Sequence, residues 1–175
     1  MLRPTWIEID LRALSDNVQT VREKIGNQIK LVAVVKSNGF GCGAEKSAIA
    51  AIKGGADAVA VGNPEDAVEI KRNNKNISVI LYGSTVPESA KEIAETGAIV
   101  TLHDLESLRA FAALNFSVDA YMKVEVGLGR LGIEPQHWDT ALKEIRESKA
   151  LRLKGIYTHL NAPENRQWID TQMIQ

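Results

Sequence analysis

The stretch Leu31-Val32-Ala33-Val34-Val35-Lys36-Ser37-Asn38-Gly39-Phe40-Gly41-Cys42-Gly43 decides how the rest of the chain is read. Its first five residues are apolar and valine-rich, which suits a strand buried on both faces. One charge, Lys36, ends the run. Closely spaced glycines then mark a tight loop before a helical segment. The same order of apolar run, polar strand end and amphipathic helix recurs along the chain. Strands are expected at Leu31 to Lys36, Asp57 to Val61, Ile77 to Leu81, Ala98 to Leu102, Val118 to Glu125 and Leu151 to Thr158. They begin roughly every 24 residues, the length of a strand-plus-helix unit rather than of a solenoid repeat with its own signature. Ahead of them, Trp6-Ile7-Glu8-Ile9-Asp10 alternates with period two and reads as a half-buried leading strand over residues 1–10. Leu11, Leu14, Val18, Val21 and Ile25 follow at helical spacing, with Asp10 to cap the helix and Gly26 to end it. Asn63-Pro64-Glu65-Asp66 is a further helix start, and Pro87, Pro135 and Pro163 suit first-turn positions. Repeated βα units predict an α/β fold with a parallel sheet and right-handed crossovers. Periodicity alone leaves a closed barrel and an open doubly wound sheet both standing.

Composition narrows the function classes. The 175 residues are 45% hydrophobic and 25% charged, the proportions of an ordinary globular domain. Twenty-one basic against 22 acidic residues give a net charge of −1, so there is no electrostatic ground to expect nucleic acid or an anionic membrane surface. The longest apolar run is far short of the about 20 residues that span a bilayer. Met1-Leu2-Arg3-Pro4-Thr5 lacks the apolar stretch of a secretory signal. Cys42 stands alone, which excludes an internal disulfide and a multi-cysteine zinc site, and a cytoplasmic setting is expected. The three histidines are too scattered for a metal-ligand pattern, so no metal is expected. No linker interrupts the chain, so residues 1–175 read as one domain. Their length falls short of the ~250 residues of a complete (β/α)8 barrel.

In either parallel architecture, chemistry collects at the C-terminal ends of the strands. There stand Lys36, Gly62-Asn63, Tyr82-Gly83-Ser84, His103, Lys123 with Glu125, and Thr158-His159. Lys36 is the most informative: a lysine beside apolar walls loses its proton more readily, which frees the amine for Schiff-base chemistry. Taken alone, its simpler reading is a solvated lysine that ends a strand. Gly39-x-Gly41-x-Gly43 superficially suggests a dinucleotide loop, but no ribose-binding acid ends the next strand, and a turn needing positive φ accounts for the glycines as well. Gly127-Leu128-Gly129-Arg130-Leu131-Gly132 matches G-x-G-x-x-G by letter, a weak signal by itself. Arg130 in its midst suits an anionic group such as a carboxylate, or is a surface arginine. His159 suits proton transfer, ring stacking or a structural role. His103 is expected near a helix start, His137 exposed, and Cys42 in a turn.

The order of these signals is more specific than any of them singly. Thr5-Trp6-Ile7-Glu8-Ile9-Asp10-Leu11 with Asn17, then Val34-Val35-Lys36-x-Asn38-x-x-Gly41-x-Gly43, then Lys123-x-x-x-Gly127-x-Gly129-Arg130-Leu131-Gly132, then Gly155-Ile156-Tyr157-Thr158-His159, closely resembles the N-terminal part of the alanine racemase family. The resemblance implies a pyridoxal 5'-phosphate-binding (β/α)8 barrel, here incomplete with about six βα units and preceded by an N-terminal strand. The last barrel strands and a C-terminal β domain would lie outside residues 1–175. It implies a small amino-acid substrate, interconversion of L- and D-alanine by two-base α-proton transfer, and a homodimer in the complete protein. By the same resemblance, Lys36 carries the cofactor as an internal aldimine and serves as one catalytic base. Arg130 engages the substrate carboxylate and the cofactor phenolic oxygen. Lys123 matches a lysine that is carbamylated in many members and so supports Arg130, and His159 lies beside the cofactor ring. Phe40 takes the cofactor-binding place of a tyrosine and lacks its hydroxyl. Gly39 and Cys42 stand for an alanine and a histidine, and Glu125-Val126 for an Asp-Thr pair. Other readings are a non-catalytic barrel that binds the same cofactor, a truncated inactive fragment, and a nicotinamide-dependent dehydrogenase built on the glycine loops.

Overall fold

A computed structural model describes residues 5–162 and 164–173. Six short strands are each followed by a helix. In chain order the elements are α1 (Leu11–Ile25), β1 (Val32–Val34), the helical turn α2 (Lys36–Phe40), α3 (Ala44–Lys53), β2 (Ala58–Val61), α4 (Pro64–Asn73), β3 (Val79–Leu81), α5 (Ala90–Glu95), β4 (Val100–Leu102), α6 (Leu105–Ala112), β5 (Val118–Lys123), α7 (Trp138–Glu147), β6 (Leu151–Tyr157) and α8 (Arg166–Met173). They form two three-stranded sheets, ordered β1-β2-β3 and β4-β5-β6, and the pairings β1–β2, β4–β5 and β5–β6 are parallel. Contacts cluster the chain into two compact units, one up to Ile80 and one from Leu81 onward.

In the first unit, β2 is buried along its whole length, while Val34 of β1 is exposed. The apolar run from Leu31 to Val35 thus forms a strand of only three residues. It begins after Leu31, whose carbonyl accepts from the backbone N–H of Asp57, and stops where Lys36 enters a turn. Helix α1 is capped as expected: Asp10 accepts from the backbone N–H groups of Arg12 (2.9 Å) and Ala13 (3.1 Å), and Gly26 closes it at φ 73°. Its buried centre is Ser15 rather than the apolar stripe, and Val21 is exposed. The helix lies so close to the end of α3 that a Cβ on Gly54 would sit 2.4 Å from the Ser15 carbonyl oxygen. Helix α4 starts with Pro64 in its first turn, but the Asn63 side chain makes no capping bond, and its Nδ2 donates to Glu65 Oε2 at 3.1 Å.

In the second unit the core gathers Leu102, Leu108, Phe111, Met122 and Ile133, all essentially inaccessible. Pro87 and Pro135 open 3-10 turns that lead into α5 and α7. Asp104 and Ser107 form a reciprocal capping box on α6, which places His103 at a helix start. Strand β6 is largely exposed, with Leu153 and Ile156 outward, as an edge strand can be.

One further expectation changes. Trp6 to Asp10 carries no strand assignment: a ladder needs a partner, none is assigned to it among the described residues, and Trp6 and Ile7 are exposed. Pro163 lies outside the described residues. Among those described, no helix is long and apolar enough to cross a membrane.

Candidate active site

Lys36 stands exposed at the end of β1, and the backbone N–H of the preceding Val35 still bonds Ala60 on β2 at 2.8 Å. Its amine enters no ion pair among the described residues. Beyond Lys36 the chain makes a left-handed turn. Ser37 (φ 54°), Asn38 (55°), Gly39 (61°) and Phe40 (55°) all occupy positive φ. Each L-residue in that region costs roughly 1–2 kcal/mol, asparagine less, so surrounding bonds must over-determine the turn. They do. The backbone N–H of Asn38 donates to Asp66 Oδ2 (3.2 Å), an otherwise buried carboxylate on α4, and Asn38 Oδ1 accepts from the N–H of Ala44 (2.9 Å) at the start of α3. The N–H of Gly43 reaches the Asn38 carbonyl at 2.9 Å. Gly39 is buried, and a Cβ there would stand 2.5 Å from Ser47 Oγ. That explains glycine at this place beyond its φ. Phe40 projects to solvent at 65% exposure.

The second unit carries a different cluster. In-register pairing sets Thr101 beside Tyr121, Tyr121 beside Gly155, and Lys123 beside Tyr157. Alternation along parallel strands therefore gathers these five residues on one sheet face. A Cβ on Gly155 would meet the Tyr121 ring at 2.8 Å. Tyr157 stacks at a tilt on Tyr82 (centroids 5.1 Å apart), meets Tyr121 edge-on (6.1 Å), and shares a hydrogen bond with Thr101 Oγ1 at 3.1 Å. Burial pushes the Tyr157 phenol up to about 12, with Thr101 and Arg130 opposing and Tyr82 assisting. Lys123 is 5% exposed and has no anionic partner within ion-pair distance among the described residues. Burial lowers its pKa, the positive charge of Arg130 lowers it further, and Glu125 opposes. Loss of water and the nearby positive charge thus make the protonated amine of Lys123 less favourable than it would be in solvent.

Behind β5, the loop from Glu125 to Ile133 is pinned at its base. Ile133 N–H donates to the Lys123 carbonyl (2.8 Å), and Glu125 N–H to the Ile133 carbonyl (3.0 Å). Arg130 projects from this loop into solvent, and His159 is exposed just past β6. The structure thus places Lys36 and Phe40 in the first unit, and Lys123, Arg130 and His159 in the second, each at a strand end or in the loop behind it. Asn38, Asp66, Tyr82 and Tyr157 stand in stretches read from the sequence, but neither they nor Tyr121 were given a part in the site there. Strand alternation through Tyr121-x-Lys123 and Gly155-x-Tyr157 was the signal available for Tyr121 and Tyr157.

The glycine loops are closed to a dinucleotide. The N–H groups of Gly39, Gly41, Cys42 and Gly43 are spent on carbonyls of the turn, and those of Gly127, Gly129 and Arg130 on Glu125. Among the described residues, these donors are therefore not free for a pyrophosphate. Among the described residues, no group of three or more His, Cys, Asp or Glu side chains could hold a metal ion.

The family model described as "Alanine racemase, N-terminal domain" matches residues 9–175. The chain belongs to this alanine racemase family. Among curated members, the alanine racemase of Symbiobacterium thermophilum is 32% identical over 163 residues, which span 91% of this chain and 43% of that protein. Alanine racemase 1 of Bacillus subtilis is 29% identical over 168 residues, 94% of this chain and 43% of that one. Among solved structures, the alanine racemase of Bacillus anthracis with bound L-Ala-P superposes at a TM-score of 0.89 with 27% identity, over 99% of this chain and 47% of that one. The alanine racemase of E. faecalis gives 0.87 with 28% identity, over 97% and 48%. The chain therefore spans somewhat less than half the length of these relatives. Its fold is of the α/β, (β/α)8-barrel class of alanine racemases, with six βα units in the described residues.

Proposed function

We propose that residues 1–175 form the N-terminal, cofactor-binding part of a pyridoxal 5'-phosphate-dependent alanine racemase that interconverts L- and D-alanine in the cytoplasm as a homodimer. The observation that carries this reading is the family match over residues 9–175, a range that includes Lys36 at the end of β1. The donor set suits the cofactor. Lys36 offers an amine unencumbered by any ion pair among the described residues, on a strand end held by an over-determined turn. In this reading Lys36 holds the cofactor covalently and exchanges the α-proton with one face of the substrate. The cofactor, when bound, supplies an electron sink for negative charge at Cα. Arg130 binds the substrate carboxylate through its bidentate fork. His159 would pack beside the cofactor ring, and Phe40 would contribute apolar contact without a hydroxyl for the phosphate.

Lys123 fits carbamylation on its own chemistry. Burial disfavours the protonated amine, which helps its lone pair add to the carbon of carbon dioxide; an N–H proton would pass to solvent and leave a carbamate anion. The carbamate would give the positive charge of Arg130 an anionic partner in place of a lysine that it repels. The group that handles the proton on the other substrate face is assigned to the C-terminal domain of a partner chain.

The test uses the full-length protein, purified with pyridoxal phosphate and assayed for racemisation of alanine and serine. A visible cofactor band and turnover of alanine are expected. Lys36→Ala should abolish the band and lower turnover by at least roughly 10³-fold, as loss of a covalent catalytic group does. A band that survives the substitution overturns the role of Lys36. A band without turnover of any amino acid favours a cofactor-binding protein that is not a racemase.

A further inference from the structure

Glu125 fills the inside of the loop that bears Arg130. Its Oε1 accepts from the backbone N–H of Gly127 (2.6 Å) and of Gly129 (3.1 Å), and its Oε2 accepts from the backbone N–H of Arg130 itself (3.1 Å). Successive N–H groups converge on one carboxylate, as in a backbone nest for an anion. The convergence requires positive φ at Gly127 (112°) and Gly129 (71°). The carboxylate grips the backbone of Arg130 and forms no ion pair with its guanidinium among the described residues, so that fork stays available to a ligand. The loop is also closed below: Gly132 at φ 145° passes so near Glu125 that a Cβ there would stand 2.8 Å from the Glu125 nitrogen. Both ends of the segment are thereby fixed, and Glu125 fixes its middle.

We propose that Glu125 is a positioning residue: by binding the backbone from Gly127 to Arg130, it sets where the Arg130 guanidinium stands and so how tightly the site holds a substrate carboxylate. The inference rests on the reading of Arg130 as the carboxylate-binding group. Glu125 is not a proton carrier. Partial burial would raise its pKa, but the four N–H groups of Gly129, Arg130, Gly127 and Leu128 outweigh that and keep it ionised. Its role is electrostatic and geometric, because a carboxylate is an acceptor at both oxygens. A glutamine of the same shape must turn an NH2 donor toward a backbone N–H.

The experiment compares full-length holoenzyme with Glu125→Gln and Glu125→Asp. For each, kcat and KM for alanine are measured, with the inhibition constant of propionate, a carboxylate of the substrate's size without its amine. The glutamine variant should raise KM and weaken propionate by the same factor, roughly tenfold, with cofactor content unchanged and kcat little altered, the pattern of a lost ground-state binding contact. The aspartate variant keeps the acceptors one methylene back and should fall between. If the glutamine variant does not fold, the aspartate variant alone decides, by the same parallel shift in KM and propionate affinity. Unchanged KM and propionate affinity in both variants overturns the proposal, as does a fall in kcat or cofactor content with KM unmoved. A wild-type enzyme that racemises nothing fails at the broader reading instead, which keeps the two failures apart.

Discussion

Gly155 shows how a single absent side chain can shape a site. It lies in β6 opposite Tyr121, and its missing Cβ leaves room for a ring that a methyl would meet at 2.8 Å. That ring in turn backs Tyr157, whose hydroxyl is shared with Thr101. Gly155→Ala should therefore destabilise the protein by about 1–3 kcal/mol, the usual penalty of forcing an extra methyl into a packed place. Urea unfolding checks it. Combining the substitution with Tyr121→Ala should remove most of the added loss, since the two sites are in contact. Full additivity would mean that the ring is not the obstacle. The motif containing Gly155 was legible in the sequence, but the reason for its glycine was not, because Tyr121 is a cross-strand neighbour far away along the chain.

At the scale of elements, a charged knot joins α1 to the start of the first sheet. Arg22 near the end of α1 bonds the carbonyls of Gly26 (2.8 Å), Ile29 (2.7 Å) and Gly55 (3.0 Å) and pairs with Asp57. Asp57 also accepts from Lys30 Nζ (2.8 Å) and from the backbone N–H of Leu31 (2.8 Å). The Lys30 hydrogen bond leads in holding its carboxyl well below the usual value, followed by the Leu31 N–H, with Arg22 adding to them against the effect of burial. A folded value below the unfolded one means that the folded state binds fewer protons. The stabilisation is then full above about pH 4 and is lost as the pH falls below it. Asp57→Asn should lower the melting temperature at pH 7 and flatten the loss of stability on acidification below about pH 4. Equal acid slopes in the two proteins would show that other carboxylates govern that limb. The helix ends at Asp10, Gly26 and Pro64 were readable from local chemistry. Asn63 makes no capping bond, and the orientation of its amide, whose nitrogen donates to Glu65, was not readable in the same way.

For the molecule as a whole, the alternation of strands and helices sets the class, and the edges set its behaviour. Strand β6 pairs with β5 alone among the described residues and turns Leu153 and Ile156 to solvent. Unpaired edges with apolar side chains invite association. The 175-residue chain produced by itself should therefore gain apparent mass in light scattering as its concentration rises, and Leu153→Lys with Ile156→Lys should reduce that gain. A wild-type chain that stays monomeric throughout would sink this expectation. Strand existence was legible because buried parallel strands are nearly continuous apolar runs, as in β2, β3 and β4. Strand length was not, since ladders stop where partners stop. For the same reason Trp6 to Asp10 alternates like a strand without being assigned as one.

The sequence by itself determined the βα order and the place of Lys36, Lys123, Arg130 and His159 at strand ends or just beyond, because these follow from periodicity and local residue order; the barrel class and the family came from the resemblance that its ordered motifs carry. Only the tertiary structure decided what holds them there. It bound the left-handed turn after Lys36 to Asp66, filled the Arg130 loop with the carboxylate of Glu125, and buried Lys123 without an ion-pair partner among the described residues. Those facts depend on which N–H groups converge and which charges lose water, and neither is written in the spacing of residues along the chain.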